Sequence, residues 1–134
     1  RSKVEAITSH NIVGRLDGAT RPDETVVYSG HWDHLGVGEP DADGDRIYNG
    51  AYDNASGVAA ILGIADVIAK MPRKDRPKRS MLFLFPTAEE QGLLGAEYYS
   101  RHPIVPLAKT VADVLEWCEC IVIAQKPSPW PGKP

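Results

Sequence analysis

The hydrophobic and polar positions of this chain lay out strands and helices in alternation. Asn11 to Leu16 reads as a short strand closed by the turn signal Asp17-Gly18. After a polar connection, Arg21-Pro22-Asp23-Glu24, the β-branched and aromatic run Thr25-Val26-Val27-Tyr28-Ser29 predicts a strand leading straight into His31. From Asn54 to about Lys70, Val58, Ile61, Leu62, Ala65 and Ile68 recur at helical spacing. Ala59, Ala60, Ile64 and Val67 make the opposite face apolar as well, which predicts a helix buried on all sides. Asn54 suits its N-cap, and Pro72 forbids continuation past Lys70. Met81-Leu82-Phe83-Leu84-Phe85 is continuously apolar, as a central strand covered on both faces should be, and Pro86 ends it. Leu93 to Arg101 reads as a second helix, Thr110 to Val114 as another strand, and Cys120 to Ala124 as a candidate edge strand.

Strands alternating with helices predict an α/β fold, a three-layer sandwich around a mostly parallel central sheet with right-handed crossovers. One domain over residues 1–125 is expected, followed at 126–134 by an extended tail with four prolines in nine residues. A chain of 134 residues can bury roughly two-thirds of its unfolded surface. Hydrophobic content of 43% and charged content of 25% fit a globular class. The mild net charge of -3 argues against a dedicated nucleic-acid binder. No apolar run reaches the ~20 residues of a membrane span. Cys118 and Cys120 are too close together to close a stabilising loop, and read as incidental thiols. A chain opening on Arg1 rather than Met, with no signal peptide, reads as a processed or excised piece.

Two charged runs have bland readings. Asp41, Asp43 and Asp45 alternate as at the start of a calcium loop, but the twelfth position is Tyr52 rather than Glu, so residues 36–49 read as a solvated acidic loop. The basic residues between Arg73 and Arg79 read as a solvated helix-to-strand connection.

The candidate chemistry sits at the ends of the predicted elements, where loops converge. His31, Asp33, Asp53, Glu89 and Glu90 supply one imidazole and four carboxylates, a donor set suited to hydrolytic zinc. Asp33, two residues after His31 on an extended chain, faces the same side and can fix the imidazole's second nitrogen. Asp53 either caps the following helix or bridges two cations about 3.5–4 Å apart, which need a shared anionic ligand. Glu89 and Glu90 are either first-turn surface acids or a divided pair, one binding metal and the other acting as general base. His34 reads mainly as a polar rim residue, with a ligand role as the alternative. His102, before Pro103, reads as a helix-end residue.

Three blocks carry a resemblance: Ser29-Gly30-His31-Trp32-Asp33-His34-Leu35-Gly36, then Ile47 to Gly57 with Asp53-Asn54 at its centre, then Thr87-Ala88-Glu89-Glu90-Gln91-Gly92-Leu93-Leu94-Gly95. In this order and at this spacing they resemble the bacterial co-catalytic di-zinc aminopeptidases of peptidase clan MH, over roughly residues 8 to 114. The resemblance implies a zinc-exopeptidase-like fold and a peptide substrate with a free N-terminus. It implies two Zn2+ ions, with His31 and Glu90 as metal ligands and Asp53 bridging. It gives Asp33 the role of orienting His31 and Glu89 that of general base, and it implies a cis peptide between Asp53 and Asn54. A secreted or periplasmic location is suggested on the same ground.

The pattern then departs. The family calls for a further ligand at a strand end, and read without a gap that position falls on Trp117; with one residue deleted it falls on Glu116, the remaining candidate ligand. A late histidine has no counterpart after His102. The fold is therefore expected to be C-terminally incomplete, through a shifted reading frame or truncation, with weak or absent turnover and self-association through an exposed sheet edge. The alternative from another class is a catalytically degenerate metal-binding or interaction module of the same fold. Glutaminyl cyclisation fits the Glu89-Glu90 pair less well.

Overall fold

The sheet is organised around its most apolar strand. The computed structural model describes residues 6–105 and the backbone of 123–125. In it, β5 (Arg79–Phe85) lies between β1 (Ile12–Leu16) and β2 (Arg21–Ser29), and β6 (Ile123–Gln125) borders β2. β5 runs parallel to β2 but antiparallel to β1, and β6 runs antiparallel to β2. The described part of the sheet is thus mixed, with one parallel pairing, where a mostly parallel sheet is expected. The cause is connection length. Residues 17–20 are too few for a crossover, so β1 must run opposite to β2, whereas residues 30–78 leave room for one.

β5 separates two apolar clusters. Met81, Phe83 and Phe85 face α1 (Ser56–Lys70), meeting its Ile61 and Ile68 together with Val26 and Tyr28 of β2. Leu82 and Leu84 face the other way, toward Val27, Val105 and Tyr99 of α2 (Leu94–Arg101). This is the period-two alternation of a strand buried on both faces. The two helices therefore serve opposite faces of the same strand.

Three expectations about element limits change. Arg21–Glu24 opens β2 rather than preceding it: Ser80 Oγ donates to the Pro22 carbonyl at 2.7 Å, and Arg79 Nε donates to Glu24 Oε2 at 2.6 Å. The acidic loop holds a small antiparallel hairpin, β3 (Gly36–Val37) with β4 (Ile47–Tyr48). Its Asp41 Oδ1 accepts from the N–H groups of Asp43 and Asp45, both at 2.9 Å, so these acids organise a turn. α1 is not buried on all sides. Ile61 and Ile68 are buried against the sheet, but Leu62 and Val67 are 53% and 57% exposed.

The end signals of α1 hold. Asn54 Oδ1 accepts from Gly57 N–H at 3.1 Å, as a capping side chain should, and a Cβ at Gly57 would stand 2.1 Å from that oxygen. After Met71, Arg76 donates to the carbonyls of Ala69 (3.1 Å) and Met71 (3.2 Å), so part of the basic run closes the helix C-terminus. His102 does sit at a helix end, its Nδ1 donating to the Tyr98 carbonyl at 3.1 Å. The predicted strand Thr110–Val114, Cys118, Cys120 and the tail at 126–134 lie outside the described residues.

Candidate metal centre

β2 and β5 run side by side, so their C-terminal ends lie together, the usual place for a site in α/β sheets. Their pairing continues past both strands: Gly30 N–H donates to the Leu84 carbonyl at 3.2 Å and Trp32 N–H to the Pro86 carbonyl at 3.1 Å. That continuation brings the His31 segment beside the segment carrying Glu89 and Glu90. The third block arrives through the irregular turn Ala51–Ala55, which contains the expected cis peptide between Asp53 and Asn54.

Two of the carboxylates meet at the imidazole of His31. His31 is buried, and its Nε2 lies 2.9 Å from Asp53 Oδ1 and 3.8 Å from Glu89 Oε2. Its Nδ1 donates to the backbone carbonyl of Asp33 at 3.0 Å. Both partners are oxygens, so each contact is made when the ring nitrogen facing it carries a hydrogen. Burial alone would lower the pKa of His31, but the Asp33 carbonyl and the carboxylates of Glu89 and Asp53 outweigh it and raise the value. Glu89 is also raised, first by burial and then by repulsion from Glu90, Asp53 and Asp33, against the opposing pull of His31. A cation placed at Nε2 would replace a proton and relieve this crowding of negative charge.

Asp33 works differently from the expectation. Its carboxylate was expected to hold the imidazole, but Oδ1 stands 3.7 Å from His31 Nδ1. The carboxylate accepts instead from the N–H groups of Glu89 (3.1 Å) and Glu90 (3.4 Å), while the Asp33 carbonyl orients the ring. Alternation along a strand does not fix which group of Asp33 meets the ring; the N–H groups of Glu89 and Glu90, distant in sequence, claim the carboxylate.

His34, read mainly as a rim residue, belongs to the cluster. Its Nδ1 lies 2.6 Å from Glu90 Oε1, and one donor atom each from His34, Asp53 and Glu90 fall within 4.8 Å of one another. The signal available in the sequence was a second imidazole three residues after the first; the contact with Glu90 depends on the fold. Glu116, the remaining candidate ligand, lies outside the described residues. Counted among the described residues, imidazole and carboxylate donors gathered at a single strand end fit a divalent cation such as zinc.

Comparison with known proteins agrees with this chemistry. The model of Peptidase family M28 matches residues 11–116. The chain belongs to this family. That is the clan MH resemblance read from the three blocks. This M28 chain is similar to the mouse aminopeptidase NAALADL1, 33% identical over 116 residues that cover 84% of this chain and 14% of the relative. It is 39% identical over 97 residues to a probable zinc metalloprotease of Phaeosphaeria nodorum, covering 65% and 19% of the two chains. A vacuolar membrane protease of Saccharomyces cerevisiae (strain YJM789) is 33% identical over 113 residues, covering 84% and 10%. The chain thus spans between a tenth and a fifth of the length of these relatives. Family and relatives support a peptidase role. They also overturn the expected secreted or periplasmic location, since one relative is by name a vacuolar membrane protein and no location follows from membership. No helix among the described residues is long and apolar enough to cross a membrane.

Proposed function

We propose that the chain acts as a zinc-dependent aminopeptidase, removing N-terminal residues from peptides. The observation that carries this reading is the meeting of His31, Asp53 and Glu89 within 3.8 Å of the His31 Nε2 atom, with Glu90 adjoining through Asp53. The opposed helices on β5 suit the three-layer zinc-exopeptidase arrangement that this function uses. His31 and Asp53 would hold one zinc, and Asp53 and Glu90 a second, with Asp53 shared.

When bound, zinc supplies Lewis acidity toward the scissile carbonyl and makes a water more acidic. The chain's own groups do the rest. Glu89, raised toward the operating range, takes a proton from the attacking water and returns it to the departing amine. The Asp33 carbonyl keeps the His31 ring turned so that Nε2 faces Asp53. A surplus of carboxylates over imidazoles suits a substrate with a free, positively charged N-terminus. Self-association through an exposed sheet edge remains part of this reading.

Zinc titration by calorimetry, paired with turnover of leucine p-nitroanilide, tests the proposal. Zinc-dependent release should fall roughly 10²–10⁴-fold in Glu89→Gln, with zinc binding retained. Release that needs no zinc, or that survives this substitution, counts against it. Turnover is expected to be weak, because His31 and Asp53 alone fall short of the three protein ligands usual in catalytic zinc sites. The same shortfall favours the second reading, a metal-binding module, for which zinc binding without turnover is the expected result.

A further inference from the structure

The Asp53–Glu90 pair has a third donor beside it. Tetrahedral zinc, with bonds of about 2.0–2.2 Å, holds its donors roughly 3.3–3.6 Å apart. Donor atoms of His34, Asp53 and Glu90 span separations from the 2.6 Å of the His34–Glu90 contact to no more than 4.8 Å, so the cluster brackets that spacing. Closing on an ion would take side-chain shifts of about 1 Å.

The imidazole is also built into its position. A Cβ at Gly50 would stand 2.9 Å from both Cγ and Cδ2 of His34, and Gly50 adopts a left-handed φ of 61° that glycine adopts readily. Gly50 lies three residues before Asp53, so the turn that presents the carboxylate also makes room for the ring. On the other side Glu90 sits in the turn whose backbone is held by Asp33. His31 is engaged elsewhere, with Nε2 on Asp53 and Nδ1 on the Asp33 carbonyl. Of the chain's four histidines, His10 and His102 lie away from this cluster, on a separate cavity with Tyr98 and Leu94.

We propose that His34 is a zinc ligand, supplying the third protein donor to the ion held by Asp53 and Glu90. The assignment rests on the zinc reading above, and it makes the two sites unequal: one imidazole each, but an extra carboxylate on the His34 side.

Zinc-edge X-ray absorption of the zinc-saturated 134-residue chain tests this, because imidazole gives a distinctive outer-shell signal. The expected result is about one imidazole per zinc in the wild type, halved in His34→Gln and in His31→Gln. Calorimetry should show one of two sites weakened in His34→Gln. Loss of an outer-shell partner alone costs about 10–100-fold in affinity, so loss of a ligand should reach the upper end or beyond. Gly50→Ala, which crowds the ring without removing it, should weaken the same site. Far-UV dichroism of the zinc-free variants establishes that each is folded, and His34→Asn replaces any that is not. If His34→Gln leaves both the imidazole signal and the two affinities unchanged, His34 is not a ligand although the zinc reading stands. If the wild type takes up no zinc at all, the zinc reading itself fails, and the assignment with it.

Discussion

Asp33→Asn separates two roles of one side chain: orienting His31, which the sequence predicts, and holding the Glu89–Glu90 turn, which the structure adds. The substitution keeps the shape but exchanges one carboxylate oxygen for an NH2 group. Asp33 Oδ1 accepts from Glu89 N–H at 3.1 Å and Oδ2 from Glu90 N–H at 3.4 Å. A hydrogen bond to a charged group contributes about 1.5–3 kcal/mol, and the longer contact is the weaker. The amide can keep one acceptor but turns a donor toward the other N–H. Two charge effects oppose each other: relief of repulsion on Glu89 stabilises, and lost attraction to His31 at 3.7 Å destabilises. The hydrogen-bond term therefore sets the sign, and zinc-free Asp33→Asn should be less stable by about 1–3 kcal/mol. Zinc affinity should fall roughly 10–100-fold as the Glu89–Glu90 turn loosens. Urea unfolding of the zinc-free protein and a zinc titration measure the two effects separately. Weakened zinc binding with an unchanged urea midpoint would refute the reasoning, placing the carboxylate's role at His31 after all.

Leu84 is fully buried between Val27 and Tyr99, so Leu84→Ala should cost about 2–5 kcal/mol, read as a lower urea midpoint with an unchanged slope. The pH dependence follows from two raised groups. His31 contributes stability that is complete below its ordinary value of 6.5 and is lost as pH rises through its higher folded value. Glu89 has the same sign, complete below 4.5 and lost as pH rises through its own raised value. The zinc-free protein should therefore lose stability above pH 6.5 through His31, and saturating zinc, which prefers deprotonated donors, should remove that loss. Thermal unfolding across this range with and without zinc decides it; zinc-free stability that climbs with pH above 6.5 would contradict the assignment.

The legible parts of this fold are those set by local chemistry. An unbroken apolar run marked β5, helical spacing and Asn54 marked the start of α1, and acids at element ends marked the centre. What escaped depends on partners distant in sequence. That β5 inserts between β1 and β2 is not written in either strand's alternation. The apolar outer face of α1 signalled burial, yet composition does not say how many neighbours are present to cover it. Within the centre, His34 and Glu90 are brought together only once β2 and β5 pair, and the Asp33 carboxylate meets the Glu89 N–H across the same junction.

That dependence reaches back to the first strand. A cluster of carboxylates pushes its own members apart, so a centre of this kind needs backbone that cannot yield. The turn bearing Glu89 and Glu90 is tied at its far side by Asp33 and at its base by Asn11, whose Oδ1 accepts from Thr87 N–H at 3.0 Å and whose Nδ2 donates to the Gly95 carbonyl at 2.7 Å. Gly95 N–H in turn donates to the Thr87 carbonyl at 2.9 Å, closing the loop where α2 begins. Asn11 immediately precedes β1, the strand that pairs with β5 up to Phe85. The acids are thus held by the same pairing that builds the sheet, and loosening the β1 edge should disturb the centre without touching any donor. Stability of the edge and geometry of the ligands are one property of this chain, expressed at two places.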